Sequence, residues 1–289
     1  MIRQMVSLWK KYSFKDIETS RKSLKANFLG YHLKCVRSYF VSPYLQKYQN
    51  WDRGLCTVNI ETNAVCNRKC SFCFYADRFP KRELGMMQEE TYKKIIDDLS
   101  VMKFRGRLSP HSYGEPLLDK RLPALMEYTR KRLPLCKISI RTNGDFLNEE
   151  LLVTLLNNGV DHFLITNYDD DEKPLLKALA RKYPFPMTLR SYRDFRKIDR
   201  AGEIFRNGKA IAKVCLRPSS ALVVNWKGNV VLCCQDFYQN HCFGNIREKS
   251  LWAIWNDPQF VEYRKQLLMG NREASKICTH CDDPGKVPW

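Results

Sequence analysis

The chain has 289 residues, 44% apolar and 12% aromatic, with 49 Lys and Arg against 31 Asp and Glu for a net charge of +18. That composition can bury a substantial core, which excludes a disordered chain, and at about 150 residues per domain the length suits one large domain plus an appendage. Charges interrupt every apolar run short of the roughly 18 residues a membrane-spanning helix needs. Arg3, Lys10 and Lys11 surround too short an apolar stretch for a signal peptide, so the expected compartment is the reducing cytoplasm. Twelve cysteines there point to metal, redox chemistry or burial rather than to disulfides.

Residues 1–50 hold ten Lys and Arg against Asp16 and Glu18, with Trp9, Phe14, Phe28, Tyr31, Tyr39, Phe40 and Tyr44 interspersed. This basic segment is expected to be helical. It either packs on the remainder with a solvated face or meets an anionic partner, such as lipid at the inner membrane surface. A strand-like stretch, Cys56 to Asn63, then leads to Cys66-Asn-Arg-Lys-Cys70-Ser-Phe-Cys73. Three thiolates with no fourth nearby fall short of a closed zinc site. They suit a [4Fe-4S] cluster that leaves one iron open to a small molecule, with structural or zinc-bound cysteines as the alternative.

Gln88 to Met102 reads as a helix with Ile95, Ile96, Leu99 and Met102 on one side, and Tyr113-Gly114-Glu115-Pro116 as a turn. Lys137 to Gly144 alternates as a strand and stops at Asn-Gly, Leu147 to Asn158 is a helix ended by Gly159, and Val160 to Asn167 is the next strand. A helix from Glu172 to Lys182 and a strand from Pro186 to Ser191 follow. This alternation implies right-handed crossovers and a parallel sheet, whose ligands bind outside the carboxyl ends of the strands.

Beyond Cys215 two apolar runs, Ser219 to Asn225 and Val230 to Cys234, flank a Gly-containing turn and predict a β-hairpin. Helical stretches around Trp252, Ile254 and Trp255 and from Phe260 to Met269 precede Cys278-Thr-His-Cys281. Cys215, one of Cys233 and Cys234, Cys278 and Cys281 make a second group of four, enough for a closed [4Fe-4S] cluster or a zinc knuckle. The scattered cysteines, Cys35, Cys56, Cys136, Cys242 and the other of the pair, read as buried.

The spacing C-x3-C-x-aromatic-C, with Phe72 at the aromatic position, resembles the signature of the radical S-adenosylmethionine (SAM) enzymes. The resemblance makes Cys66, Cys70 and Cys73 ligands of a cluster whose open iron chelates SAM, with the backbone around Tyr75 near the adenine. It gives Gly114 and Glu115 the place of a Gly-Glu-Pro motif that meets SAM's ammonium group. It likewise places Thr142 and Asn143 at a strand end beside SAM, Thr166 and Asn167 near its ribose, and Arg190 near its carboxylate. Gly228-Asn-Val230-Val-Leu-Cys233 resembles the Gly-x-Val-x-x-Cys of the twitch or SPASM extension. On that reading Cys215, Cys233 (alternatively Cys234), Cys278 and Cys281 hold an auxiliary [4Fe-4S] cluster.

The implied fold is α/β: a partial, six-stranded (β/α) barrel over residues 51–210, a hairpin-plus-helix extension over 211–289 and the basic segment 1–50. The implied activity is reductive cleavage of SAM to a 5′-deoxyadenosyl radical that abstracts hydrogen from a substrate carbon, with the auxiliary cluster relaying an electron. A reductant such as flavodoxin or ferredoxin is required. Sugars and peptides are the substrate classes, and the positive charge favours an anionic one such as a nucleotide- or lipid-linked sugar. His111 and Tyr113 are the candidate catalytic side chains. The competing reading is a zinc-stabilised basic protein that binds nucleic acid; the ordered strand-end motifs have no use there, and no nucleic acid is expected.

Overall fold

Which face of each strand is apolar determines how the chain layers. The computed structural model describes residues 54–77, 79–169, 173–183, 187–194, 201–203, 214–283 and 285, so the expected basic helical segment 1–50 lies outside the described residues. Five strands run parallel: β1 (Thr57–Ile60), β2 (Arg107–Ser109), β3 (Lys137–Thr142), β4 (His162–Asn167) and β5 (Met187–Ser191). Helices connect them: α1 (Glu89–Val101), α2 (Leu122–Arg132), α3 (Glu149–Asn157) and α4 (Pro174–Lys182).

After the short α5 (Arg217–Ser220), β6 (Ala221–Val224) returns parallel to β1 on its other side. Two antiparallel strands then extend the sheet, β7 (Asn229–Val231) and β8 (Cys242–Asn245), giving the order β5-β4-β3-β2-β1-β6-β7-β8. The turn between β6 and β7 needs Gly228, which sits at φ +87° where a side chain would be strained. The first hairpin strand expected from the sequence is thus also the sixth strand in parallel pairing, beside β1.

Residues paired across parallel strands share a face. Val58, Ile60, Leu108, Ile138, Ile140, Phe163, Ile165, Leu222 and Val224 lie on one face and are all buried. Tyr92, Ile95, Ile96 and Leu99 of α1, Leu122, Leu125 and Met126 of α2, Leu152 and Leu155 of α3, and Leu176 and Leu179 of α4 supply the helix side of this core. The other, inner face is mostly polar: Thr57, Asn59, Arg107, Ser109, Lys137, Ser139, Arg141, His162, Thr166, Thr188 and Arg190, with Leu164, Ala221 and Val223 among them. A polar inner face suits a polar ligand better than an apolar core would.

The sequence reading passes over α2, although its signals are present: apolar Leu122, Leu125 and Met126 at helical spacing, Pro123 in the first turn, and Arg130 to Arg132 in the last. Among the described residues no helix is long and apolar enough to cross a membrane.

At the C-terminal end lie α6 (Leu251–Trp255), α7 (Pro258–Leu268) and α8 (Lys276–Thr279). Fully buried Phe260 stacks on Phe243 at 4.1 Å and meets Trp255 edge-on at 5.7 Å. The Arg264 guanidinium covers the Trp255 ring at 4.1 Å and donates to the Trp255 carbonyl at 2.6 Å. Phe260→Ala is therefore expected to lower stability by about 3–5 kcal/mol. Denaturant unfolding should show a lower midpoint at unchanged slope.

Candidate active site

The segment leaving the carboxyl end of β1 is shaped before any cysteine is reached. The Asn63 side chain accepts from the Val65 N–H at 2.9 Å and donates to the Glu115 carbonyl at 3.0 Å, turning the chain toward Cys66. Turns follow in which Cys73 N–H donates to the Cys70 carbonyl at 2.9 Å and Ala76 N–H to the Cys73 carbonyl at 3.0 Å.

The residues between the cysteines fasten the loop. Arg68 donates two bonds to Asp145, at 2.5 and 2.6 Å, and two to Asp169, at 2.6 and 2.7 Å. Asn67 joins Asp145 at 2.8 Å and accepts from Asn143 at 2.9 Å, and Lys173 pairs with both carboxylates. Partial burial opposes ionisation of Asp145, but donors from Arg68, Lys173 and Asn67 hold its carboxyl well below the usual range. Asp169, nearly exposed, is lowered to about 2 by the same arginine. The forked guanidinium suits this double carboxylate. Sequence reasoning passed over the clamp because its members are up to 101 residues apart.

Glu115 is the next fixed point. Its buried carboxylate accepts from Thr142 Oγ1 at 2.6 Å and Leu117 N–H at 3.0 Å on Oε1, and from Asn143 N–H at 2.9 Å on Oε2. Burial raises its pKa, and these donors oppose the rise. A carboxylate has about four acceptor positions, so one remains on Oε2. Gly114 is required by its neighbours: a Cβ there would stand 2.1 Å from the Asn63 carbonyl oxygen and 2.9 Å from that of Val65. Gly114 thus packs against the chain's own backbone where the cysteine loop begins.

The remaining expected residues are spread around this centre. Tyr113 donates from its hydroxyl to the Cys234 carbonyl. Tyr75 donates to the Ala64 carbonyl at 2.5 Å, and its phenol is raised by burial. Asn143 spends both ends of its amide on Asn67 and on the Asp145 N–H, and Asn167 accepts from the Asp169 N–H at 3.1 Å, presenting Asp169 to Arg68. Thr166 is buried opposite exposed Arg190 in the β4–β5 register. His111 is half-buried on the loop before Gly114.

A second cluster of thiols forms where α5, the end of the hairpin and the C-terminal turn meet. Cys215, Cys233, Cys278 and Cys281 line one small cavity together with Arg217, Gln235, Arg272 and Asp283. Cys234 is outside it; the guanidinium of Arg217 reaches its sulfur at 3.5 Å. The four thiols ring a cavity rather than a point: among the described residues no three His, Cys, Asp or Glu side chains converge on a single-ion position. Asp283 fixes the wall, paired with Arg217 at 2.9 Å and accepting from Gln235 at 2.8 Å.

Both sets of cysteines suit iron–sulfur clusters chemically. Burial pushes Cys66 up to about 11, Cys278 up to about 11 and Cys281 up to about 12, and burial and then Cys234 and Cys278 raise Cys233. Thiolates crowded in such desolvated places need a cationic centre between them, which a cluster provides and water does not.

Aromatic rings join the two regions. Phe74, next to Cys73, stacks on Phe237 at 4.3 Å, and Tyr113 meets Phe237 edge-on at 4.8 Å. Arg82, ion-paired with buried Glu61, lies over Phe237 at 4.6 Å.

Comparison with known proteins gives this geometry its context. The family model described as Radical SAM superfamily matches residues 60–204, and that of SPASM, an iron–sulfur cluster-binding domain, matches residues 215–282. The chain is 34% identical over 239 residues to the S-adenosyl-L-methionine-dependent 2-deoxy-scyllo-inosamine dehydrogenase of Niallia circulans, spanning 80% of this chain and 94% of that protein. Its structure is similar to that of BtrN in complex with AdoMet and 2-DOIA, with a TM-score of 0.74 and 32% identity over 79% of this chain and 93% of BtrN. AdoMet-bound anSMEcpe shares the fold at a TM-score of 0.53 and 15% identity, over 79% of this chain and 88% of that one.

Gly114→Ala is expected to push the cysteine loop off its backbone contacts. Iron analysis of reconstituted protein should show the loss of about four irons per chain, one [4Fe-4S] cluster. Arg68→Lys, which keeps charge but not the fork, should lose less iron than Arg68→Ala.

Proposed function

Because this chain belongs to the radical SAM superfamily and carries a C-terminal SPASM iron–sulfur cluster-binding domain, we propose that it is a SAM-dependent dehydrogenase of a small, hydroxylated, sugar-like molecule. That it is a radical SAM enzyme with an auxiliary cluster follows from the family. This membership displaces the zinc-stabilised nucleic-acid-binding reading. The step to a dehydrogenase is supported by the likeness to the Niallia enzyme, which extends over almost all of that protein. The observation that carries it is the placement of two cysteine groups on one sheet: Cys66, Cys70 and Cys73 follow β1, and Cys215 and Cys233, which flank the segment that runs through β6 and β7, ring a small cavity with Cys278 and Cys281.

In this reading Cys66, Cys70 and Cys73 hold the SAM-binding cluster, and Cys215, Cys233, Cys278 and Cys281 hold the auxiliary one. When bound, clusters and SAM supply the redox chemistry: reductive cleavage of SAM, transfer of one substrate hydrogen atom to the 5′-deoxyadenosyl group, and removal of the second electron as a proton leaves the hydroxyl.

The chain's own residues do the positioning. Arg68 and its carboxylates hold the cysteine loop, Glu115 keeps one acceptor position toward SAM's ammonium group, and Thr142 and Asn143 orient Glu115. Thr166, Asn167 and Arg190 stand on the strand ends toward the rest of SAM. Tyr113, bonded to the Cys234 carbonyl, links the two cysteine regions, and His111, on the loop before Gly114, is the candidate for the departing proton. Residues 51–210 thus form the SAM site, 211–289 the auxiliary site, and 1–50 a basic appendage toward an anionic partner. The first electron comes from an external donor such as flavodoxin or ferredoxin.

Anaerobic reconstitution of the full chain should give about eight irons. Cys70→Ala should abolish deoxyadenosine formation under dithionite. Cys281→Ala should retain SAM cleavage while losing oxidation of the substrate. Equal, complete loss of cleavage in both, with each protein folded, would remove the separate roles.

A further inference from the structure

The loop between β7 and β8 is closed by one carboxylate. Asp236 is buried; its N–H donates to the Cys233 carbonyl at 3.1 Å, and its two oxygens accept from Asn240 N–H at 2.8 Å and His241 N–H at 3.0 Å. Leu232 N–H donates to the His241 carbonyl at 3.2 Å, so His241 is fixed from both sides of the loop. Its ring meets Tyr263 of α7 edge-on at 5.5 Å, and its Nε2 lies 3.1 Å from Ser275 Oγ. A thread of hydrogen bonds thus runs from one expected cluster ligand, Cys233, to the turn that carries another, Cys278.

Ser275 holds that turn. It is the N-cap of α8: its carbonyl accepts from Cys278 N–H at 2.9 Å and Thr279 N–H at 3.1 Å, and its hydroxyl caps no backbone N–H of the helix. Cys278 is the third helical residue, the position whose side chain stands against that of the N-cap. The buried Ser275 side chain is bonded to the Cys278 thiol and opposes the rise that burial imposes on it. Nδ1 of His241 is buried with no hydrogen-bond partner among the described residues. A proton there would be a buried N–H without an acceptor, whereas a proton on Nε2 leaves only a lone pair at Nδ1 and lets the ring donate to Ser275 Oγ. The serine's own proton is then left for the sulfur.

We propose that Ser275 and His241 are positioning residues for the auxiliary cluster: His241 donates to Ser275, Ser275 donates to the Cys278 sulfur, and that bond makes the cluster easier to reduce. The inference rests on the reading of Cys278 as a ligand of that cluster. A donor at a ligand sulfur stabilises the negative charge that reduction adds, and hydrogen bonds to sulfur are among the factors that set such potentials. Cys233 has a comparable bond, from Gln235 N–H to its sulfur at 3.4 Å, but from a backbone donor that no side-chain change removes. In the dehydrogenase reading the auxiliary cluster takes the second electron from the substrate, so this pair governs how readily that electron leaves.

The test is an anaerobic redox titration of the reconstituted full chain, followed by electron paramagnetic resonance with and without SAM; the signal that SAM leaves unchanged belongs to the auxiliary cluster. Ser275→Ala and His241→Phe should each keep about eight irons per chain. Each should make the auxiliary cluster about tenfold harder to reduce, a one-electron shift of about 59 mV to lower potential. Ser275→Thr, which keeps the hydroxyl, should hold the wild-type potential, and His241→Gln, which keeps a donor, should recover part of the shift. An unchanged potential in Ser275→Ala or in His241→Phe, with iron content intact, would overturn the proposal. Should Ser275→Ala fail to take up its second cluster, His241→Phe, which leaves the N-cap in place, still decides. About four irons in wild type, with every signal moved by SAM, would remove the auxiliary cluster and the inference with it, whereas two clusters with unmoved potentials would overturn the inference alone.

Discussion

The parallel ladder between β1 and β6 is the constraint on which the rest depends. Thr57 to Ile60 pair in register with Ala221 to Val224, and the ladder is extended at both ends by Cys56 N–H to the Ser220 carbonyl and Glu61 N–H to the Val224 carbonyl, each at 2.8 Å. All eight strand residues are buried. From the carboxyl end of one strand the chain enters the loop of Cys66, Cys70 and Cys73, and from the other it enters the hairpin that ends at Cys233. Two cysteine groups far apart in the chain are thereby led out from neighbouring strands. The rings of Phe74 and Phe237 then fill the gap with stacked apolar surface.

Around that ladder the chain divides its chemistry by face and by end. The outer face is aliphatic and pays for folding through burial against the helices. The inner face is polar and the strand ends are ionic, so both depend on the scaffold to hold them. Glu115 shows how: a carboxylate in a desolvated place is unfavourable alone, and two donors from the end of β3 and one from its own turn stabilise it there. The double ion pair of Arg68 does the same for the cysteine loop. Rigid placement of this kind is what hydrogen abstraction by a radical requires, since an unpositioned radical attacks whatever is nearest.

Much of the fold was legible because it rests on local rules. The alternation of Lys137 to Thr142, the Asn148 cap of α3 and the Gly228 turn each reflect a preference settled within a few residues. The sixth parallel strand was not legible as such, because a strand's partner is chosen by long-range pairing, and Ala221 to Val224 has the same sequence whether it opens a hairpin or closes a barrel. The cysteine spacing within each group was likewise local. The choice between Cys233 and Cys234 was not: adjacent residues near a strand end point in different directions, and which of them faces the cavity depends on the twist of the backbone after β7.

By itself, then, the sequence determined the α/β alternation, the two cysteine groups and the Gly-Glu-Pro turn, because each depends on residues close together in the chain. Only the tertiary structure decided that Gly114 faces the Asn63 backbone, that Glu115 is bound by Thr142 and Asn143, and that Arg68 reaches two aspartates 77 and 101 residues away. The reason is the same throughout: hydrogen bonds, ion pairs and steric contacts act over a few ångströms of space, and separation along the chain does not record that distance.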